Sequence, residues 1–488
     1  MVVEPIEDFS PNQTLSLQVT EQLDNLVTSP SVQLPEAPAK LSKPVIRASL
    51  RASTWDGVFA SIFGSVSGGV LFTDFLLKLG ATNAEIGLLS AVPMVANFLQ
   101  PVGAYLSDRT NSRRRYNLLI FGSSRLLWLV LALGITWTSW HPTESQQLMQ
   151  WTVGIVLVAN LLGAIGCASW LSWMAALVPQ QLRGRYFGFR NSASGLTGLV
   201  SVPLMGLGMS VWGGGTLQGY AVFLGLGVVA GFASLLCQCF MTDINPQAIA
   251  SPAEAHLEPQ QGNFAAFIQD GNFLRFLLYF GLWAFACQLS GPFFNIYLLK
   301  DLELNVGWVT VYTSLGTVAN LLMLMVWGHL ADRVGNRTLL LLMGILAAVM
   351  PLLWVGTGNN AFCVWLWIPL LHLVTGGIWA AIDLCSNNIQ MEIAPQRQPS
   401  TYFATAAAVA GVCGALGTTT GGFLAQLPYL GGLGGLFALS ALLRLVALLP
   451  LVFVREPRSL VAGSLLRIIL PWRQRSVSVP VAELGDRG

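Results

Sequence analysis

The chain contains twelve apolar stretches of about 20 residues or more, and this pattern constrains its fold more than any other feature. An α-helix rises about 1.5 Å per residue, so about 20 apolar residues cross the roughly 30 Å of hydrocarbon in a bilayer. Charged residues make up only 10% of the chain, too few to solvate a soluble globule of 488 residues. The sequence therefore predicts an all-α polytopic membrane protein with twelve transmembrane helices. The predicted spans are 54–79, 84–107, 116–140, 149–177, 188–212, 218–241, 270–299, 306–329, 338–357, 361–385, 400–427 and 432–454.

The positions of the basic residues predict how the chain is oriented in the membrane. If the amino terminus is cytoplasmic, 21 of the 25 Lys and Arg residues fall on the cytoplasmic side. Two of the others, Lys78 and Lys300, fall on the opposite side, and two, Arg125 and Arg444, lie within predicted spans. Because loops rich in Lys and Arg stay on the cytoplasmic side, we predict that both termini are cytoplasmic.

Polar segments flank and divide the apolar spans. The first 39 residues contain six acidic residues, no Lys or Arg and no apolar core, which argues against a secretory signal peptide and favours a disordered tail. A stretch rich in Pro, Glu and Gln separates the sixth span from the seventh. We predict a disordered cytoplasmic amino-terminal tail (1–50), an amino-terminal six-helix half (51–241), a cytoplasmic linker (242–269), a carboxyl-terminal six-helix half (270–455) and a cytoplasmic carboxyl-terminal tail (456–488).

The two predicted halves carry matching motifs. "GAYLSDRTNSR" at 103–113 aligns with "GHLADRVGNR" at 328–337 at an offset of 224. This alignment superposes three pairs of charged residues, namely Asp108 on Asp332, Arg109 on Arg333 and Arg113 on Arg337. "VPQQLRGRYF" at 178–187 matches "APQRQPSTYF" at 394–403 at an offset of 216. Two matches in the same order indicate a parallel duplication of six helices.

The doubled motif resembles the signature of the major facilitator superfamily of secondary transporters, which lies between the second and third spans of a half. The second copy matches it at Gly328, Leu330, Ala331, Asp332, Arg333, Gly335 and Arg337. The first copy departs from it at Ala104 and Asn111, both small residues. The resemblance covers about residues 50–455 and is nearest to a poorly characterised bacterial group. It implies a multi-pass protein of the bacterial inner (plasma) membrane.

The resemblance implies that the motif charges form a gate between the two halves. An Asp near a helix carboxyl terminus is unfavourable against the helix dipole, so it needs an Arg or the start of a neighbouring helix as a partner. The alternative is that these are ordinary loop charges. The gate residues implied are Asp108, Arg109, Arg113, Asp332, Arg333 and Arg337, and we add Asp383, near the cytoplasmic end of the tenth span.

The family architecture also implies that the first, fourth, seventh and tenth spans line a central cavity. Polar residues inside a membrane are costly and therefore point to function. The candidates for a substrate or proton site are Asp74, Asn160, Gln288, Asn295, His372 and Trp379. Two alternatives stay open: Asp74 could instead pair with Lys78 one turn away, and His372 could bond to a neighbouring helix. Arg125 and Arg444 could bind an anion, but they lie in spans that usually form the outer support, so we expect structural roles for both.

These observations favour a secondary transporter that moves a small solute by alternating access, driven by a solute or proton gradient. The alternative is a receptor or assembly factor of the same fold that transports nothing. The chain has no GxxxxGK[ST] loop for ATP and only four His residues, one of them in a span, so we predict no enzyme activity, metal or cofactor. The expected partners are a small-molecule substrate, polar or amphipathic, and the lipid bilayer, and we expect a monomer that binds no nucleic acid.

Overall fold

The computed structural model describes most of the two predicted halves. The described residues are 42–110, 112–140, 145–179, 182–212, 216–244, 271–393, 399–427 and 431–455. Within these ranges every regular element is a helix. Three predicted segments lie wholly or mostly outside the described residues, namely the amino-terminal tail, the linker and the carboxyl-terminal tail.

The described residues contain twelve helices that are long and apolar enough to cross a membrane. Each coincides with one predicted span, which confirms the all-α polytopic fold. They are α1 (Lys43–Lys78), α2 (Asn83–Ser107), α3 (Arg113–Thr138), α4 (Gln147–Leu177), α5 (Arg185–Ser210), α6 (Leu217–Cys239), α7 (Gly271–Asp301), α8 (Val306–Val334), α9 (Asn336–Val355), α10 (Cys363–Ile393), α11 (Tyr402–Leu424) and α12 (Gly432–Val452). We call the end of the bundle that carries the loops after α2 and α8 the motif end, and the opposite end the far end.

Helix α1 begins earlier than the sequence predicts. We expected a tail up to residue 50, but the helix starts at Lys43. Its first turns are amphipathic: Lys43, Arg47 and Arg51 are spaced four apart and exposed, while Ser49 is buried and lies 2.9 Å, oxygen to oxygen, from the Thr242 hydroxyl. A search for continuous apolar runs misses such a segment because only one face is buried.

Three of the helices are irregular toward the far end. In α1 the regular helix stops at Val66 and resumes at Gly69, whose φ of +64° is one that glycine adopts readily. Both α7 and α10 contain a wider π turn, at Tyr297–Asp301 and Cys363–Trp367. The last segment of α1, Gly69–Lys78, is therefore a separate short helix, and it carries Asp74.

The helices pack mainly within two groups of six. In the first group α3 packs against α4 and α6, and α2 packs against α4; in the second, α7 packs against α11 and α12, and α10 packs against α8 and α9. Two helix pairs, α2 with α11 and α5 with α8, form the most extensive contacts between the groups, and the last segment of α1 also contacts α7 and α8.

The groups approach most closely at the far end. A Cβ atom at Gly87 of α2 would lie 2.7 Å from the Thr418 carbonyl oxygen and 3.1 Å from the Gly422 Cα of α11. A Cβ atom at Gly206 of α5 would lie 2.2 Å from the Thr310 hydroxyl oxygen of α8. Glycine at these positions lets the two halves touch backbone to backbone or backbone to side chain.

Candidate functional site

A cavity of about 990 Å³ lies within the second group of helices. Its walls come from α7 to α12, together with Met94 of α2. The cavity extends toward the motif end, where Asp383 and Asn387 of α10 line it and are exposed. Its volume is at the upper end of the range usual for small-molecule sites, about 300–1,000 Å³.

Aromatic rings form much of the wall. The rings of Trp283 (α7) and Trp379 (α10) both line the cavity and form a pair with centroids 6.5 Å apart and ring planes tilted by 56°. Toward the far end, Trp354 of α9 packs against Phe294 at 5.1 Å and edge-on to His372 at 5.2 Å, centroid to centroid. Asp383 lies on the motif-end side of the Trp283–Trp379 pair, and we call the part of the cavity on its far-end side the inner chamber.

His372 presents a hydrogen-bond acceptor to the inner chamber. Its Nδ1 lies 3.0 Å from the Ile368 carbonyl oxygen of its own helix. A carbonyl only accepts, so Nδ1 carries the proton and, in the neutral ring, Nε2 is the acceptor. The ring lines the cavity and contacts Tyr312 and Trp354. Its bond is to its own helix rather than to a neighbour, and the Nε2 atom is therefore the group that a solute would meet.

Amide side chains complete the polar lining. Gln288 and Asn295 of α7 line the cavity, and so does Asn320 of α8, whose amide donates to the Gly376 carbonyl at 3.3 Å. Sequence reasoning missed Asn320 because α8 was not expected to face the cavity. A Cβ atom at Gly376 would lie 2.0 Å from the Gly316 carbonyl oxygen, so α8 approaches α10 closely enough to bring Asn320 inward.

Two of the predicted site residues lie elsewhere. Asn160 of α4 donates to the Val156 carbonyl of its own helix at 2.8 Å. Asp74 of α1 is buried, with 5% of its surface exposed, and its Oδ2 has no hydrogen-bond partner within the described part of the chain. Lys78 is exposed, and the described contacts include no ion pair between it and Asp74. The segment that carries Asp74 packs against α6, the end of α7 and α8.

The motif residues lie at one end of the bundle. Gly335 adopts a φ of +91°, which lets α8 end and α9 begin within one residue, and this accounts for the Gly of the motif. Arg109 is exposed and stacks on Tyr105, 4.4 Å from the ring centroid. Asp332 and Arg333 are exposed, and within the described ranges Asp332 has no hydrogen-bond or ion-pair partner.

The remaining motif arginines are held by their own group of helices. Arg113 is buried and donates to the Ser107 hydroxyl, and Arg337 donates to the Val452 carbonyl of α12. The side chain of Asp108 lies outside the described residues.

A buried charge cluster in the first group of helices was missed by sequence reasoning. Asp56 of α1 is 3% exposed and accepts hydrogen bonds from Ser234 at 2.7 Å and Gln238 at 3.0 Å. It also forms an ion pair with Arg190 of α5 at 3.4 Å, and Arg190 stacks over Trp170 of α4. The predicted first span began at residue 54, which made Asp56 look like a helix-end charge. The available signal for its partner was Arg190, which lies just inside the predicted fifth span although it was counted with the cytoplasmic charges.

Metal ligands are scattered. Among the residues that the structure describes, His, Cys, Asp and Glu form no group of three or more that could hold a metal ion. The cavity is lined by aromatic, amide and hydroxyl groups, which bind organic solutes through stacking and hydrogen bonds.

These features define a class: a helical membrane protein of twelve spans in two packed groups of six, with a duplicated loop motif and a solute-sized internal cavity. The family model of the Major Facilitator Superfamily matches residues 57–418, and the chain belongs to this superfamily. No curated protein matches the chain by sequence.

Solved structures of membrane transporters share the fold. A D-xylose–proton symporter superposes with a TM-score of 0.65 at 16% identity, covering 85% of this chain and 100% of its own. The nucleoside transporter NupG superposes with a TM-score of 0.63 at 14% identity, covering 83% of this chain and 98% of its own. The xylose transporter XylE from E. coli, in an inward-open conformation, superposes with a TM-score of 0.60 at 17% identity, covering 85% and 97%. At these identities the likeness is one of fold.

Proposed function

We propose that this protein is a secondary transporter that moves a small solute by alternating access. The observation that carries the proposal is the cavity of about 990 Å³, which reaches exposed residues toward the motif end while the two halves touch at the far end. An assembly factor of this fold would need no solute-sized space, and the space here is not filled by side chains. The solved transporters of the same fold support the proposal.

The proposal assigns the motif end to the cytoplasm, because the basic residues of the chain concentrate there while Lys78 and Lys300 lie at the other end. The structure then corresponds to an inward-open state. The exposed Asp332 fits this state, since we propose that Asp332 and its equivalent Asp108 find their partners when the motif end closes. Transport requires a second state in which the far end opens and the motif end is sealed.

Paired distance measurements test this proposal without knowledge of the substrate. In a background with all seven Cys replaced by Ser, spin labels are placed at Arg115 and Met391 near the motif end, and at Lys78 and Glu303 near the far end. We expect two populated distances for each pair, with conditions that shorten one pair lengthening the other. A single unchanging distance for both pairs across pH, membrane potential and a solute panel would remove the transporter proposal and favour the receptor alternative.

We further propose that Asp74 couples far-end closure to a proton. In the present state its carboxyl group is buried between the two halves, and its Oδ2 has no partner among the described residues. Burying an ionised carboxylate that lacks a partner costs more free energy than burying the neutral acid. Tyr220 of α6 stacks on Phe75, the residue after Asp74, but its hydroxyl donates to the Val66 carbonyl, and Lys78 is exposed. Closure of the far end therefore favours a protonated Asp74, and opening it to water favours release.

The Asp74→Asn variant is expected to abolish the pH dependence of far-end closure. In the parent protein, raising the pH from 5 to 9 should lengthen the distance between labels at Lys78 and Glu303. In the variant, the amide imitates the neutral acid, so the short distance should persist at every pH. Asp301→Asn, at an exposed far-end acid, is the matched control and should behave like the parent. An Asp74→Asn protein that keeps the parent's pH dependence would rule out this role.

A further inference from the structure

Arg444 of α12 is a buried guanidinium at the wall of the cavity, with 4% of its surface exposed. It donates to the Ala347 carbonyl at 2.8 Å, the Ser290 hydroxyl at 3.0 Å and the Cys287 carbonyl at 3.5 Å. A guanidinium has five N–H donors, so two remain without a partner among the described residues. One of them, Nε, is buried and has no acceptor in the described part of the chain. An unpaired buried donor of this kind calls for a missing partner.

The positive charge of Arg444 has no acidic partner among the described residues. Asp383 is the acidic residue that lines the cavity, but it lies on the other side of the Trp283–Trp379 pair. Asp383 is one turn beyond Trp379 toward the motif end, whereas Cys287, which accepts from Arg444, is one turn beyond Trp283 toward the far end. At 1.5 Å per residue these offsets separate the two charges by roughly 12 Å along the helix axes.

A purely structural role accounts for the hydrogen bonds of Arg444 but not for its charge. Carbonyl and hydroxyl acceptors on α7 and α9 would be satisfied equally well by a neutral donor. A full charge taken out of water is costly unless it is paired. Arg125, another intramembrane arginine, also has a buried Nε without an acceptor among the described residues, but it stacks on Phe63 at 3.8 Å and interacts with the carboxylate of Asp56. Arg444, by contrast, faces a cavity with its charge uncompensated.

We infer that Arg444 binds the carboxylate of an amphipathic organic monoanion, which is the substrate class of the transporter proposed above. Guanidinium groups match carboxylates in charge and in geometry. The aromatic walls at Trp283 and Trp379 suit an apolar or aromatic body. The ring of His372 lines the same cavity, and its Nε2 accepts from a donor group of the molecule.

Matched acids and amides test the inference. Benzoate, phenylacetate and indole-3-acetate are each compared with their neutral amides, and phenyl phosphate is included as a second anion. Dissociation constants for the purified protein are obtained from the rise in melting temperature with ligand concentration. We expect at least one acid to bind at least ten times more tightly than its amide. Arg444→Gln should remove this preference, and Arg444→Lys should retain part of it.

A matched control separates ligand binding from folding. Arg125→Gln removes a comparable intramembrane guanidinium outside the cavity, so it should lower the melting temperature of the free protein and leave the acid-to-amide ratio unchanged. If Arg444→Gln does not fold, the preference of the parent protein and its reduction in Arg444→Lys decide the matter.

Four results would overturn the inference. Two concern the parent protein: equal binding of acids and amides, or no binding by any compound of the panel. The third is binding of phenyl phosphate alone, and the fourth is an acid preference that survives in Arg444→Gln or is undiminished in Arg444→Lys. None of them bears on the paired distance measurements, which test the transporter proposal separately. Conversely, if the protein binds acids selectively but the distances between the spin labels never change, the anion site stands and the transporter proposal does not.

Discussion

Replacing Gly87 and Gly422 together with alanine is expected to prevent the far end from closing. Each new Cβ would meet backbone atoms of the other half: the one at Gly87 lies 2.7 Å from the Thr418 carbonyl oxygen, and the one at Gly422 lies 2.8 Å from the Asn83 carbonyl oxygen. Backbone atoms within helices cannot rotate away as a side chain can. The added methyl groups therefore force α2 and α11 apart.

The size of the effect follows from the cost of overpacking. Extra methyl groups in a packed interior cost about 1–3 kcal/mol, and about 1.4 kcal/mol changes an equilibrium tenfold. The cost falls on the inward-open state alone, because the two residues separate when the far end opens. We expect the ratio of inward-open to outward-open protein to fall at least about tenfold, and the rate of solute transport to fall with it. The measurement is the distance distribution between labels at Lys78 and Glu303, with uptake into proteoliposomes.

The matched control is Gly225→Ala on α6, where a Cβ would have no heavy atom of a neighbouring helix within 4 Å. It makes the same chemical change in the middle of a membrane helix, so it should leave both the distances and the uptake unchanged. Far-end distances in the double variant that match the parent would show that the two helices do not need glycine contact to close.

Removing the carboxylate of Asp56 is expected to be the most destabilising single change in the first group of helices. Asp56→Ala leaves the half-buried Arg190 without its ion-pair partner and deprives the buried Ser234 and Gln238 of their acceptor. Truncating one partner of a buried pair costs about 3–5 kcal/mol. We expect a loss of about 3 kcal/mol or more in the free energy of unfolding, measured by titrating the protein in mild detergent with sodium dodecyl sulfate.

A double-mutant cycle isolates the contribution of the pair. Removing Arg190 as well eliminates the unpaired charge, so Asp56→Ala/Arg190→Ala should be less unstable than the sum of the two single variants. Asp332→Ala is the matched control, because this Asp is exposed and no partner for it occurs in the described ranges, and it should change stability little. Strict additivity in the cycle would mean that the Asp56–Arg190 contact contributes nothing to folding.

The sequence predicted the number and approximate positions of the helices because each span is recognisable by its own composition. The motif match also included Gly335, where the chain adopts a φ of +91°. Its main local error was the start of α1, since the amphipathic turns from Lys43 do not form a continuous apolar run. Such segments are recognisable only when one face is considered by itself.

The candidate site was partly accessible from sequence. Gln288, Asn295, His372 and Trp379 line one cavity, as does Asp383 at its mouth. They were selected as polar or aromatic residues on helices expected to face inward. Residues from α8 and α12 were not selected, because their orientation depends on how closely neighbouring helices pack. Arg444 was assigned to the outer support and instead borders the cavity.

The sequence by itself determined which segments cross the membrane, that the crossing unit is duplicated, and which end carries the positive charges. These are properties of single segments, set by the cost of placing backbone or charge in hydrocarbon. Only the tertiary structure decided which face of each helix meets lipid, another helix or the cavity. Lipid chains and helix interiors are equally apolar, so hydropathy does not distinguish them. The contacts of Gly87 with Gly422, of Asp56 with Arg190, and of Arg444 with the cavity follow from shape and packing alone.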